Sequence, residues 1–134
     1  MIPASPRAPV ERPLSPHLSI YKPIPTMVMS IMHRVSGAAL YFGTLLLAWW
    51  LLAAASGPEA FSWASAFFGS IIGRLVLFGY TWALMLHMLG GIRHFIWDAG
   101  YCISKPASTR LAFVTAIGSA VLTLLVWAVA LTVF

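Results

Sequence analysis

Two short segments of this chain place basic side chains inside, or at the ends of, stretches that are otherwise apolar. The first contains His33 and Arg34, and the second runs from His87 to His94. An imidazole can ligate a metal or carry a proton, and a guanidinium can hold an anion. A charged group at membrane depth costs roughly 3 kcal/mol or more, so ionisable residues there mark a candidate functional site.

The composition of the chain indicates that its solvent is lipid. Hydrophobic residues make up 60% of the 134 residues, and charged residues make up only 8%. A soluble domain carries about 25% charged residues. Burial inside a soluble fold does not explain the apolar stretches, because three such segments in so short a chain leave almost nothing to bury them. We therefore predict an all-α membrane protein.

Three apolar stretches are long enough to cross a bilayer as helices, which takes about 20 residues each. We expect these helices at about 27–55, 67–98 and 110–133, within a transmembrane domain formed by residues 27–134. Residues 1–26 form a cytoplasmic tail with seven of the nine prolines, which excludes a long helix. The tail is expected to lie extended over a partner or the headgroup region, with a disordered tail as the alternative.

The distribution of Lys and Arg predicts the orientation of the chain in the membrane. The basic residues of the tail, of the first helix entry and of the loop after the second helix are Arg7, Arg12, Lys22, Arg34, Lys105 and Arg110. The loop 56–66 contains Glu59 and no base. This asymmetry predicts the N-terminus inside and the C-terminus outside, and it explains the net charge of +5 without nucleic acid. Arg74 is the exception, because it falls in the outer half of the second helix.

At 3.6 residues per turn, the polar residues of the first two predicted helices fall on one face of each. The face of the first helix comprises Ser30, His33, Arg34, Gly37 and Tyr41. The face of the second comprises Tyr80, His87, Gly90, Gly91 and His94, while Arg93 points well away from it. Glycines on such a face permit either close approach of another helix or a flat macrocycle, and this pattern does not decide between them.

His87 lies about 16 Å along its helix from Asp98, well inside the hydrocarbon region. A neutral imidazole there needs partners for its nitrogens. A haem iron bound by one axial His from each side, an interhelical hydrogen bond and proton transfer all remain open. A metal site with several protein ligands is disfavoured, because the helix offers no further ligand at that level. His94 lies two turns nearer the interface, where it suits a contact to haem propionates, and His33 and Arg34 lie at a similar depth.

Three motifs of the chain resemble those of a known family. They are Arg12-Pro-Leu-Ser-Pro-His-Leu-Ser-Ile-Tyr21, Ser30-Ile-Met-His-Arg-Val-Ser-Gly37 and His87-Met-Leu-Gly-Gly-Ile-Arg-His-Phe-Ile-Trp-Asp98. In this order, and with three helices, they resemble the cytochrome b556 subunits of succinate dehydrogenase, in the alphaproteobacterial and mitochondrial style. The resemblance runs from about Glu11 to the end of the chain. The third helix matches only as a hydrophobic span.

The resemblance implies a role for each site residue. His87 corresponds to the iron ligand of haem b, with the opposite axial His supplied by a small anchor subunit. Ser30 and Arg34 correspond to the residues that line a ubiquinone pocket. His33 corresponds to a residue near the haem propionates, and His94 is expected to be a second contact. Arg34, at a similar depth to His33, is expected to neutralise the same carboxylates.

The resemblance also implies an assembly and a location. The chain would be half of a two-chain anchor bundle in the inner (cytoplasmic) membrane, in contact with lipid. A flavoprotein subunit and an iron–sulfur subunit, which hold FAD and the iron–sulfur clusters, would dock on its inner face. This assembly, respiratory complex II, passes electrons from succinate to ubiquinone in the tricarboxylic acid cycle and the respiratory chain. The chain would not be catalytic alone.

Two other functions remain as alternatives. One is a fumarate reductase anchor that works in reverse with menaquinone, although the Ser-x-x-His-Arg element argues against it. The other is a non-enzymatic small membrane protein, such as a transporter or scaffold. A proton-coupled transporter of this size would want a membrane-embedded carboxylate. The apolar stretches contain none in their interior, because Asp98 stands at the very end of the second.

Overall fold

The computed structural model describes residues 13–133, and within them the chain is helical and contains no strand. Three helices have the length and hydropathy of membrane spans. The elements are α1 (His17–Ile20), α2 (Pro25–Ser56), α3 (Pro58–Gly69), α4 (Ile71–Asp98) and α5 (Lys105–Val133). The predicted all-α fold with three membrane-length helices is therefore confirmed. Residues 1–12 of the predicted tail, with Arg7, Glu11 and Arg12, lie outside the described residues.

Local sequence signals set the helix boundaries. α2 and α3 both begin at a proline, the residue whose fixed φ and missing N–H suit the first helical position. Gly57 separates them with a φ of 117°, a conformation that side chains with a Cβ rarely adopt. α4 ends in a glycine turn, in which Gly100 has a φ of 82° and Tyr101 N–H donates to the Ile96 carbonyl at 3.0 Å.

The segment between the first two spans differs from the loop expected at 56–66. Residues 58–69 form α3, and the second span begins at Ile71 rather than at about 67. The break comes from Ser70, whose hydroxyl accepts a hydrogen bond from the Gly73 N–H at 3.1 Å and so caps α4. The third span also begins early, at Lys105 rather than at about 110, because Pro106 is tolerated in a first helical turn.

The bundle is built around α4, which packs against α2, α3 and α5. Its contact with α5 follows a seam of small residues on α5, formed by Ala112, Thr115, Ser119 and Thr123. The three hydroxyls of this seam donate to carbonyls of α5 itself. The helix backbones can therefore approach closely without leaving these hydroxyls buried and unpaired. Most large apolar side chains point outward instead, as expected of a surface in contact with lipid or other membrane subunits.

Candidate functional site

The antiparallel packing of α2 and α4 brings three imidazoles together at one end of the bundle. The rings of His33 and His87 stack with their centroids 4.1 Å apart and their planes 8° from parallel. The His94 ring lies 5.2 Å from that of His33, tilted by 51°. These three residues form the imidazole cluster. The polar faces predicted for the first two spans therefore meet each other inside this chain.

Two glycines make room for the stacked rings. A Cβ at Gly37 would lie 2.9 Å from Cε1 of His87, and a Cβ at Gly90 would overlap Nδ1 of His33. Each glycine thus receives an imidazole from the facing helix. Of the two roles left open for these glycines, close approach between helices is the one that the chain itself displays.

Hydrogen bonds fix the ring of His87 in one tautomer. Its Nδ1 lies 3.1 Å from the carbonyl oxygen of His33 and 3.3 Å from Oγ of Ser36. The Ser36 hydroxyl donates to the same carbonyl at 2.9 Å. Since a carbonyl oxygen only accepts, Nδ1 of His87 is the donor in this contact, and in a neutral ring with this tautomer Nε2 carries the lone pair. The interhelical hydrogen bond that the sequence left open is therefore present, and it does not use Nε2.

Ser30 and Arg34 form a second polar group, one turn apart on α2. Nη2 of Arg34 donates to Oγ of Ser30 at 3.2 Å. Arg34 is exposed and Ser30 is half-buried, so the guanidinium is accessible from outside the chain. In the described part of the chain, no hydrogen bond joins this pair to the imidazole cluster. The structure therefore separates the predicted site residues into an imidazole cluster, with His33 and His87 half-buried and His94 exposed, and an outward-facing donor pair.

The sequence assigned no role to Arg93, which was only expected to point away from the polar face of its helix. The structure buries it, with 1% of its surface exposed. Its Cζ lies 4.9 Å from the ring centroid of Trp97, and the edge of that indole contacts the ring of His94 at a centroid distance of 5.2 Å. The sequence predicts the contact between Arg93 and Trp97, because residues four apart are neighbours on a helix. The burial of Arg93 is not predictable in this way, because it depends on tertiary packing.

Comparison with known proteins identifies the family of this chain. The family model described as the succinate dehydrogenase/fumarate reductase transmembrane subunit matches residues 8–126. The succinate dehydrogenase cytochrome b556 subunit of Paracoccus denitrificans is 42% identical over 114 residues, which cover 85% of this chain and 88% of that protein. The subunit of the same name from Rickettsia prowazekii is 39% identical over 117 residues, which cover 87% and 91%.

A mitochondrial relative extends the comparison beyond bacteria. The succinate dehydrogenase cytochrome b560 subunit of Sus scrofa is 38% identical over 111 residues, which cover 79% of this chain and 64% of that protein. These matches confirm the resemblance inferred from the motifs. Together with the three membrane-length helices, they identify the chain as a multi-pass protein of the inner membrane and as the anchor part of an oxidoreductase. The chain belongs to the family of succinate dehydrogenase/fumarate reductase transmembrane subunits.

Proposed function

We propose that this chain is the haem b- and ubiquinone-binding membrane anchor subunit of succinate dehydrogenase, and that it supports electron transfer from succinate to ubiquinone. The observation that carries the proposal is the hydrogen bond from Nδ1 of His87 to the His33 carbonyl, which leaves the Nε2 lone pair available. The word cytochrome in the names of the relatives supports a haem.

The residues around His87 would allow its Nε2 to hold a haem iron. A haem takes a single imidazole on each side, and a hydrogen bond from the opposite ring nitrogen to a carbonyl is the usual way to orient such a ligand. His33 covers a face of the His87 ring, whereas Nε2 lies at the ring edge and is not blocked by that stacking. The second axial His would come from the small anchor subunit.

The remaining imidazoles suit the acidic groups of the same cofactor. Nδ1 of His33 is buried and has no hydrogen-bond partner among residues 13–133. His94 lies beside it, nearer to the end of α4. These two residues, with Arg34, are the proposed contacts of the haem propionates. When bound, haem b would supply a one-electron store beside the quinone site.

Ser30 and Arg34 are the proposed quinone contacts. A quinone carbonyl gains negative charge as it is reduced. A fixed guanidinium and a hydroxyl donor at that point stabilise the reduced form more than the oxidised form. The exposure of Arg34 leaves the donor pair open to a quinone held between this chain and its neighbours. Protons would come from water or from side chains of the partner subunits.

We propose the same assembly that the motifs imply. The flavoprotein subunit with FAD and the iron–sulfur subunit with its clusters would dock at the inner face, with the N-terminus inside and the C-terminus outside. The small anchor subunit would cover apolar surface of the bundle. Since the family description also names fumarate reductase, quinone extraction and a comparison of succinate with fumarate turnover would separate that alternative.

A reduced-minus-oxidised absorbance spectrum of the purified complex tests the proposal. The wild-type complex should show a b-type haem, and His87→Ala should abolish or sharply weaken the signal. The control is His17→Ala, because His17 is exposed in α1 and outside the imidazole cluster. An unchanged spectrum in the assembled His87→Ala complex would reject His87 as the iron ligand.

A further inference from the structure

Arg93 is a buried cation that the proposed contacts with haem and quinone do not use. Only 1% of its surface is exposed, and Nε, Nη1 and Nη2 have no hydrogen-bond partner among residues 13–133. The only favourable contact that its charge makes in this part of the chain is with the ring face of Trp97, 4.9 Å away. A buried ion without a counter-ion is costly, so its retention calls for a function.

The carboxylates within residues 13–133 do not neutralise this charge. They are Glu59 and Asp98. Glu59 lies in the first turn of α3, which precedes the start of α4, whereas Arg93 lies near the end of α4. Asp98 is exposed at the end of α4, five residues from Arg93, and the two share neither a helical face nor an ion pair. The guanidinium therefore acts on its surroundings as a full positive charge.

Arg93 lies close to the proposed iron ligand. It is six residues from His87 on α4, a separation of about 9 Å along the helix axis. A continuous series of ring contacts also joins the two, from Trp97 to His94, from His94 to His33, and from His33 to His87. Of this series His94 is exposed and the other rings are half-buried, whereas the guanidinium itself is buried. The field of the guanidinium at His87 is therefore screened less than that of a surface charge.

We propose that the charge of Arg93 raises the reduction potential of the haem held by His87, with Trp97 fixing the position of the guanidinium. Reduction from ferric to ferrous iron adds one electron, makes or breaks no bond of the protein and needs no proton. A nearby positive charge stabilises the more negative, reduced state, so the midpoint potential rises. This inference rests on the proposed haem site. Arg93 is a positioning residue, which acts on the haem through its charge.

The test is a redox titration of the haem in the purified complex, with dithionite as the one-electron reductant and soluble mediators. Arg93→Gln removes the charge and should lower the midpoint potential, whereas Arg93→Lys keeps the charge and should stay close to the wild type. Arg74→Gln is the matched control. It makes the same change in the same helix, but at an exposed residue about 20 Å from His87 along the axis, and should leave the potential unchanged.

The outcomes separate this inference from the proposed function. If the wild-type complex holds no haem, the proposed function fails. If haem is present and Arg93→Gln leaves its potential unchanged, the charge is neutralised in the assembly and this inference is wrong. An equal fall in Arg93→Lys would also overturn it, because the shape of the guanidinium would then matter and its charge would not. Arg93→Met is a second neutral variant with an apolar stem. If neither neutral variant assembles, the role is structural and the inference is rejected.

Discussion

The two halves of the α2–α4 interface share one kind of close packing but differ in their chemistry. We call the half near the start of α2 the inner half, after the proposed orientation, and the half toward the end of α2 the outer half. In both halves a glycine receives a ring from the facing helix. In the inner half the rings are the imidazoles of His87 and His33, and in the outer half the ring is that of Tyr80, which overlaps the position of a Cβ on Gly43. Only the inner rings carry nitrogens that can ligate iron or bind anions. Close packing is therefore general along this interface, while the proposed chemistry is local.

The largest expected effect comes from adding a methyl group in the inner half. Gly90→Ala would drive a Cβ into the ring of His33 and so displace the ring that stacks on His87. We expect most of the haem signal to disappear from the purified complex, because overpacking costs roughly 1–3 kcal/mol and disturbs the ligand directly. Gly91→Ala is the control, since a Cβ there meets nothing within 4 Å. Equal haem content in the two variants would contradict the packing role of Gly90.

The matching change in the outer half should destabilise the fold and spare the haem. Gly43→Ala would collide with the ring of Tyr80, so the thermal midpoint of the complex should fall by several degrees. Haem content per assembled complex should remain at the wild-type level, because Tyr80 is not part of the imidazole cluster. Gly79→Ala, which meets nothing within 4 Å, serves as the control in a thermal unfolding experiment. Loss of haem in assembled Gly43→Ala would show that the two halves are not separable.

The exposed donor pair tests whether the inner half itself contains two sites. Arg34→Ala should lower quinone reductase turnover by about tenfold or more, since it removes the charge that we propose to stabilise the reacting carbonyl. Oxidation of succinate by an artificial acceptor should persist, because that reaction bypasses the membrane anchor. Both activities are measured on the same preparation, with Arg74→Ala as the control. An equal loss of the two activities would point to failed assembly.

Removal of a single hydroxyl from the inner half should have a smaller effect. Ser36→Ala removes the group that lies 3.3 Å from Nδ1 of His87, but it keeps the carbonyl of His33 as an acceptor at 3.1 Å. We expect haem to remain bound, with a stability loss of about 1 kcal/mol, the usual contribution of one hydrogen bond. Haem content and chemical unfolding of the complex measure the two quantities. Complete loss of haem would mean that Ser36, rather than the carbonyl, orients the ring.

The smallest effect is expected from a hydrogen bond outside the α2–α4 interface, next to Tyr80 in the chain. Nε1 of Trp127 donates to Oγ1 of Thr81 at 3.3 Å, which ties α5 to α4. Trp127→Phe should cost about 1 kcal/mol or less, because the ring contact with Phe78 can persist and only one neutral hydrogen bond is lost. Haem content should not change. A large loss of stability would show that this long contact is stronger than its length indicates.

Much of the architecture was predictable because its causes are local. The three spans follow from the lengths of the apolar runs, and the polar faces of the first two follow from helical periodicity. The short helix α3 was missed, since the serine cap at Ser70 interrupts an apolar run that composition alone reads as continuous. Of the site, the residue types and faces were predictable. The roles of Ser30, His33, Arg34, His87 and His94 remain predictions.

The amino-acid sequence by itself determined that this chain is a membrane protein. It also determined how many helices can span the membrane and which side chains could take part in chemistry there. Those properties depend on side-chain hydrophobicity and on a fixed rise per residue. Only the tertiary structure decided which groups touch. It placed Nδ1 of His87 within hydrogen-bond distance of a carbonyl of another helix, and it buried Arg93. Such contacts arise from the close packing of separate segments, and the periodicity of a single helix does not encode them.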